Sequence, residues 1–324
     1  MPKSQRILLT EAEIFPVNED IRAEIERNGF ELVEMVGGAH DDIVEAGRDC
    51  MAVLLFHAYV PESLLTRLPS VRILARVGTG YERIDVEAAK ARGVAVTFLP
   101  GVFTEELADH ATMLLLMFAR QMPFFLDERM KRNWPKVVAF PDTFPLSEQT
   151  LGVVGLGPSG RAMVPRAKAL GLSVRAWSRT LRPGLGAQLG YEEASLAEVL
   201  ACDYVSLHVA LTPETERLIS HDTLKHFKPS AVLLNISRGG LVDQDALLEA
   251  LDAGRLRGAG LDVVSPEPLP DNHPIWTHPK VILTFHSGSY TATGYNRSLK
   301  TAIEDIFAFA RGEQPKHLVP EFSM

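Results

Sequence analysis

The sequence predicts an α/β protein made of two successive doubly wound units, each on a parallel sheet. Three observations carry that expectation. Short apolar runs alternate with amphipathic segments through the first hundred residues, and the alternation restarts at Leu151 after an interruption. At the restart an apolar run passes into Gly155-x-Gly157-x-x-Gly160 and then into a helical pattern. Length agrees, since 324 residues correspond to two domains of about 150.

In the first stretch, strands are expected at Ile7–Leu9, Leu32–Val36, Val53–Phe56, Ile73–Val77 and Val94–Val96. Helices are expected at 19–28, closing on the stop signal Asn28-Gly29, and at 85–92. Residues 104–120 form a helix that is apolar almost all round after Thr104, Glu105 and Glu106, which suit an N-terminus. Such a helix is expected to be buried between domains or subunits. Residues 121–148 lack a period and contain Pro123, Pro135, Pro141 and Pro145, which reads as an extended arm or linker. The second alternation places strands at 151–154, 173–177, 204–209, 231–235, 258–261 and 281–284, and helices at 159–169, 195–200, 243–253 and 291–311. Ligands in such sheets bind beyond the carboxyl ends of the strands, and a cleft between two units is the expected place.

Composition removes several function classes. Hydrophobic residues at 46% and charged residues at 23% exclude a disordered chain. A net charge of −8 without a basic run argues against non-specific nucleic-acid or membrane-surface binding. The apolar stretches 51–60 and 111–119 are too short to span a membrane. The N-terminus turns acidic after one apolar patch, unlike a secretory signal, so a cytoplasmic location is expected. Cys50 and Cys202 have the context of buried, inert thiols, which disfavours a disulfide scaffold, a zinc ribbon and a nucleophilic cysteine. His221/His226 and His273/His278 lack metal-ligand spacing, so no metal is expected.

The glycine loop carries the first chemistry. Gly155 permits the tight turn, Gly157 lets backbone approach a pyrophosphate, and Gly160 lets helix pack on strand, which makes this unit Rossmann-like. Leu156, Pro158 and Ser159 complete the loop, and the helix N-terminus offers amides to phosphate. A plain glycine-rich turn is the bland alternative. A carboxylate at the end of the next strand would bind the ribose hydroxyls and repel a 2′-phosphate. Instead Ser178-Arg179-Thr180 stands about 18 residues after Gly160, with Arg182 close behind and no carboxylate before Glu192. Two hydroxyls and a guanidinium suit a phosphate, which predicts NADP(H) as preferred cofactor and NAD(H) as a possible one. A solvated basic turn without a ligand is the alternative.

Three downstream residues complete a candidate site. Arg238 and His286 each follow an apolar strand, and Glu267 lies in the Pro-rich loop after a third. Taken singly they read as a surface ion-pair partner, a strand-end histidine and a solvated acid. Together with the loop, with Gly78-Thr79-Gly80-Tyr81-Glu82-Arg83-Ile84-Asp85 and with Thr104-Glu105-Glu106-Leu107-Ala108-Asp109-His110, they resemble the D-isomer specific 2-hydroxyacid dehydrogenase family over about residues 50–315. Within it the chain is most similar to NADP-preferring glyoxylate/hydroxypyruvate reductases.

The resemblance implies a nucleotide domain, 101–288, inserted into a substrate domain, 1–100 plus 289–324. It implies a homodimer through helix 104–120 and arm 121–148. It implies His286 as general acid, Glu267 orienting its ring, and Arg238 binding the carboxylate and carbonyl oxygen of a small 2-oxo acid. Backbone amides of Val77 and Gly78 are expected to hold the other side of that carboxylate. Thr104, His208, Ile236 and Asp262 are implied cofactor contacts, Asp262 at the nicotinamide carboxamide, and Arg238 and His286 border the cofactor as well.

Two departures stand out: Phe285 where proline usually precedes the histidine, and Ala210 where proline is common. Arg76 adds a charge beside the carboxylate loop or forms an ion pair; Phe56, His57 and Tyr59 line the pocket; Trp134 reaches a neighbouring subunit or packs in the arm. Rival readings are a phosphoglycerate, formate or phosphite dehydrogenase, and a non-catalytic NAD(P)-sensing corepressor-like protein. The first is disfavoured by the absence of a regulatory domain after residue 320 or by the Ser-Arg-Thr turn, the second by the absence of partner-binding extensions.

Overall fold

Gln5–Leu9 (β1) begins the chain in the interior of a sheet, in a computed structural model that describes residues 5–14, 16–136, 143–180 and 184–322. The chain divides into two units, Met1–Phe103 with Tyr290–Met324, and Thr104–Ser289. Both are α/β with every strand pairing parallel.

The first unit adds α1 (Glu19–Arg27), β2 (Phe30–Glu34), α2 (His40–Gly47), β3 (Ala52–Leu55), α3 (Glu62–Leu65), β4 (Ile73–Arg76), α4 (Val86–Ala91), β5 (Ala95–Thr97) and, from the far end of the chain, α11 (Ala292–Ala310). The sheet order is β2-β1-β3-β4-β5, so the direction of winding reverses between β1 and β3. Alternate side chains of each strand feed opposite faces. Ile7, Leu9, Ile73 and Ala75 pack with Ile25 of α1 and Ile303 and Ile306 of α11. Leu8, Val53, Leu55 and Leu74 pack with Ile43, Leu64 and Val86 on the other face. Burial on both faces explains why these strands read as continuous apolar runs. Side-chain caps fix the helix starts: Asn18 Oδ1 accepts from Ile21 N at 2.9 Å and Asp85 Oδ1 from Ala88 N at 2.9 Å. Strand β2 begins two residues before its expected start, because Gly29, at φ +82°, ends α1 and Phe30 pairs at once with Gln5. Helices α2 and α3 lie between strands, where the alternation leads one to expect helical segments; each is short and buries only two residues.

The second unit contains α5 (Thr104–Ala119), α6 (Met122–Met130), β6 (Thr150–Val154), α7 (Pro158–Ala169), β7 (Ser173–Trp177), α8 (Leu185–Leu189), β8 (Glu192–Glu193), α9 (Leu196–Leu200), β9 (Tyr204–Leu207), β10 (Val232–Asn235), α10 (Gln244–Asp252), β11 (Gly258–Leu261) and β12 (Val281–Leu283). Its order is β12-β11-β10-β9-β6-β7-β8, with the reversal between β6 and β9. One face of the sheet packs Leu151, Val153 and Leu234 against α5 and α7, and the other packs Val205, Leu207 and Leu233 against α9 and α10.

Helix α5 shows what its apolar side packs on within its own unit, and the expectation for 121–148 is corrected. Helix α5 buries Ala111, Leu114, Leu115 and Phe118 against α7 and the sheet of its own unit, while Met113 stays 39% exposed on the far side. The apolar character therefore serves an ordinary one-sided packing first. The segment expected to be an extended arm holds α6, in which Pro123 occupies the first turn, where its missing N–H costs nothing. No residue of α6 is buried, so it has no apolar period to read. Residues 137–142, including Pro141, lie outside the described residues.

Among the described residues no helix is long and apolar enough to cross a membrane, and no group of three His, Cys, Asp or Glu is placed to hold a metal. Both cysteines are free and buried, and burial pushes the Cys50 thiol up to about 11.

Candidate active site

Strand β6 ends at Val154, at the winding reversal of the second sheet, and the glycine loop follows. A Cβ on Gly155, at φ +101°, would lie 2.7 Å from the His208 carbonyl oxygen. One on Gly160 would lie 2.0 Å from the Gly155 carbonyl oxygen. Those two glycines seat α7 on the loop. Gly157 differs: its nearest neighbour would be 3.8 Å away, so the space above it is open. A ligand phosphate fits that cradle, facing the first-turn amides of α7. Leu156 is buried beneath the loop, whereas Pro158 is exposed and Ser159 half-exposed.

His208 supports the loop from below. Its Nδ1 lies 3.1 Å from Ser159 Oγ and its Nε2 2.9 Å from Ser206 Oγ. Burial holds its pKa down to about 4, so the ring is neutral at physiological pH. After β7, the Thr180 N–H donates to Ser178 Oγ at 3.3 Å, and Arg179 meets Glu214 at 3.5 Å on the surface. Arg182 lies outside the described residues.

The residues proposed for chemistry leave neighbouring strands. At the end of β10, buried Asn235 uses its side chain to accept from Ser237 N at 3.1 Å and to donate to the Arg238 carbonyl at 2.8 Å. Ile236 is buried in the same turn. A Cβ on Gly239 would lie 1.9 Å from the Val264 carbonyl oxygen, so this turn is pressed against the loop that carries Glu267. Glu267 Oε1 accepts from Val264 N at 2.9 Å, and Oε2 accepts from His286 Nδ1 at 2.7 Å. Burial pushes this carboxyl upward, but His286, the Val264 amide and the Arg238 charge outweigh it and hold Glu267 below its usual range.

Asp262, at the end of β11, is 1% exposed. It accepts from Thr284 Oγ1 at 2.7 Å, Ser287 N at 2.9 Å and Gly288 N at 3.0 Å, with His110 Nε2 of α5 at 3.4 Å. Burial again raises its pKa, and the bonds from His110 and Thr284 more than compensate, leaving it lowered. The backbone N–H of His286 donates to the Asp262 carbonyl at 2.5 Å. Phe285 and His286 have φ of +55° and +56°. Proline, locked near −65°, could not occupy position 285 in this conformation. Phe285 turns outward, 69% exposed, and stacks on Trp276 at 5.9 Å. Beside the dyad lies a cavity of about 240 Å³ lined by Val264, Leu269, Trp276 and Leu283 as well as Asp262, Glu267 and His286.

The first unit holds the other candidates at the carboxyl ends of its strands. Arg76 Nε donates to the Gly80 carbonyl at 2.9 Å, and its guanidinium covers the space a Gly78 side chain would fill. The amides expected to hold a carboxylate have backbone partners: Val77 N donates to Leu55 O and Gly78 N to Arg76 O, each at 2.9 Å. Within this unit a ligand at those amides must displace both bonds, of which the three-residue turn at Gly78 is the weaker. Tyr59 is 56% exposed and its ring stacks on His40 at 6.3 Å. Sequence reasoning missed Glu11, 6% exposed, which accepts from His57 N at 2.8 Å and Ala58 N at 3.3 Å and so shapes the 56–59 loop. Thr104 opens α5, and Trp134 is 96% exposed beyond α6.

A parallel sheet with a glycine cradle at its winding reversal, and a histidine–carboxylate dyad beyond neighbouring strands, defines a nucleotide-dependent dehydrogenase. Residues 112–288 match the family described as D-isomer specific 2-hydroxyacid dehydrogenase, NAD binding domain. A glyoxylate reductase of Korarchaeum cryptofilum is 37% identical over 86% of this chain and 85% of its own length. A D-3-phosphoglycerate dehydrogenase of Mycobacterium bovis is also 37% identical over 86% of the chain, which spans only 52% of that protein. Among solved structures, an NADPH-dependent glyoxylate/hydroxypyruvate reductase of Sinorhizobium meliloti, in complex with NADP and malonate, is similar at TM-score 0.84 and 31% identity, covering 98% of this chain and 97% of that one. The chain belongs to the D-isomer specific 2-hydroxyacid dehydrogenase family. It is therefore an oxidoreductase that uses a nicotinamide cofactor and a small-molecule 2-hydroxy acid.

Proposed function

We propose that this chain reduces a small 2-oxo acid of the glyoxylate or hydroxypyruvate kind to the D-2-hydroxy acid, with NADPH as the preferred cofactor and His286 as general acid. The observation that carries the reading is the 2.7 Å bond from His286 Nδ1 to Glu267. The nicotinamide, when bound, supplies the hydride. Negative charge then develops on the substrate's carbonyl oxygen and needs a proton. With Nδ1–H committed to Glu267, Nε2 is the atom that delivers it, and Glu267 fixes the orientation of the ring. Arg238 binds the substrate carboxylate and carbonyl oxygen, which a planar cation can bridge. Asp262 would meet the nicotinamide carboxamide, the glycine cradle would hold the diphosphate, and Ser178, Arg179 and Thr180 would receive the 2′-phosphate.

In the same reading the unit containing Thr104–Ser289 binds the cofactor and the other unit binds the substrate. Two chains associate through α5, α6 and the residues after them, where Met113, Phe125, Leu126, Met130, Trp134 and Phe144 are exposed. A cytoplasmic location accords with two buried free thiols.

The test is steady-state oxidation of NADPH, and separately of NADH, with glyoxylate, hydroxypyruvate, pyruvate, a branched 2-oxo acid and phenylpyruvate. Turnover that is faster with NADPH, and that collapses in His286→Ala while cofactor affinity persists, is expected. Tight cofactor binding without turnover on any member would move the assignment to a sensing protein.

A further inference from the structure

We infer that Glu214 sets the limit on how strongly this chain prefers a phosphorylated cofactor, by contesting Arg179 with the 2′-phosphate. The inference rests on the reading of Ser178-Arg179-Thr180 as the 2′-phosphate site. Strand β7 ends without a carboxylate, and the next acid in sequence, Glu192, is paired with Arg175 at 3.0 Å. A carboxylate nevertheless reaches this turn from another strand. Glu214, in the loop after β9, places Oε2 3.5 Å from Arg179 Nη1.

Its position is built rather than incidental. Thr212 Oγ1 donates to Glu214 Oε2 at 2.7 Å. The loop itself is closed by Thr215, 2% exposed, whose hydroxyl accepts from Thr212 N at 2.8 Å and donates to the Ala210 carbonyl at 2.7 Å. The Thr212 hydroxyl, foremost among its partners, holds Glu214 below the usual carboxylate range, so it is ionised at neutral pH.

Side-chain exposures of 55% and 67% make the Arg179–Glu214 pair a weak one, which a dianionic phosphate can break. After the exchange, however, the phosphate sits beside a fixed negative charge, a repulsion that salt weakens. A cofactor with a free 2′-hydroxyl meets no such repulsion. One cation and one anion from different strands therefore give a graded preference, and NADH retains measurable affinity.

Dissociation constants of NADPH and NADH, from fluorescence titration at low and at physiological salt, test this on the full chain. Glu214→Gln is expected to tighten NADPH about three- to tenfold and to leave NADH within about twofold, with the gain shrinking as salt rises. Thr212→Val, which releases the carboxylate, should move NADPH the same way by less. Unchanged NADPH affinity in Glu214→Gln, or an equal gain for NADH, overturns the inference. Arg179→Gln separates it from its premise: if that variant leaves NADPH affinity intact, the phosphate lies elsewhere and the reading of the turn fails. If it weakens NADPH while Glu214→Gln does nothing, only the role of Glu214 fails.

Discussion

Glu267 joins two properties that a neutral side chain of the same shape would separate. Its carboxylate orients the His286 ring through Nδ1, and its negative charge sits directly against that ring. Glu267→Gln keeps the shape and loses the charge. Reduction of the 2-oxo acid should then fall by about 10- to 100-fold in kcat, with NADPH affinity little changed. Stability follows the same group. Glu267 and Asp262 are both held below the usual carboxylate range, so their contribution is complete above the unfolded pKa of about 4 and is lost as pH falls through their lower folded values. Urea midpoints at pH 7 and below pH 4 should therefore converge more in Glu267→Gln than in the parent. An unaltered kcat in that variant would remove Glu267 from the proton path. Arg238, Glu267 and His286 stood out in the sequence only together, through the family resemblance, since each alone reads as an ordinary surface or loop residue. Glu11 was not: nothing in the sequence distinguishes this acid until folding brings the His57 and Ala58 amides to it from 46 and 47 residues away.

At the scale of elements, legibility tracked burial. Strands β9, β10 and β11 are buried throughout and read as mostly apolar runs, interrupted by Ser206, Asn235 and two glycines. Helix α6 buries nothing and was invisible, and the one-sided packing of α5 was hidden because its exposed side also carries apolar residues such as Met113. The glycine loop was legible as a pattern, but its glycines do different work, and substitution should separate them. Gly160→Ala forces a Cβ toward the Gly155 carbonyl, 2.0 Å away, and should lower Tm through an overpacking cost of about 1–3 kcal/mol while weakening cofactor binding. Gly157→Ala meets only open space at 3.8 Å, so Tm should stay near the parent value while affinity for NADPH drops. Parallel thermal melts and cofactor titrations decide it; equal losses of Tm in both variants would contradict the cradle.

For the whole molecule, the open question is how many chains make the working particle. Exposed Phe125, Leu126 and Met130 on α6, with Trp134 and Phe144 beyond it, form an apolar run that nothing in the described chain covers to the point of burial. Light scattering on the eluting protein should give twice the 35.7 kDa chain mass. The double variant Phe125→Asp, Met130→Asp should elute as single chains and be more soluble, since the charge replaces sticky surface. A parent protein that runs as one chain at micromolar concentration would end the dimer reading without touching the chemistry.

Asp262 gives the second unit a common datum. Its carbonyl holds the His286 backbone, its carboxylate gathers Thr284, Ser287 and Gly288, and His110 of α5 closes on it from the side. In the proposed site, the spacing between acid and cofactor contact is thus referenced to one residue, not accumulated along a loop where small errors add. Residues such as Trp276 and Tyr59, which lie off that reference, can change size or polarity while the proposed reacting distance stays calibrated. A fold arranged this way separates what is recognised from what is done to it, and can be retargeted to a new acid without being retuned.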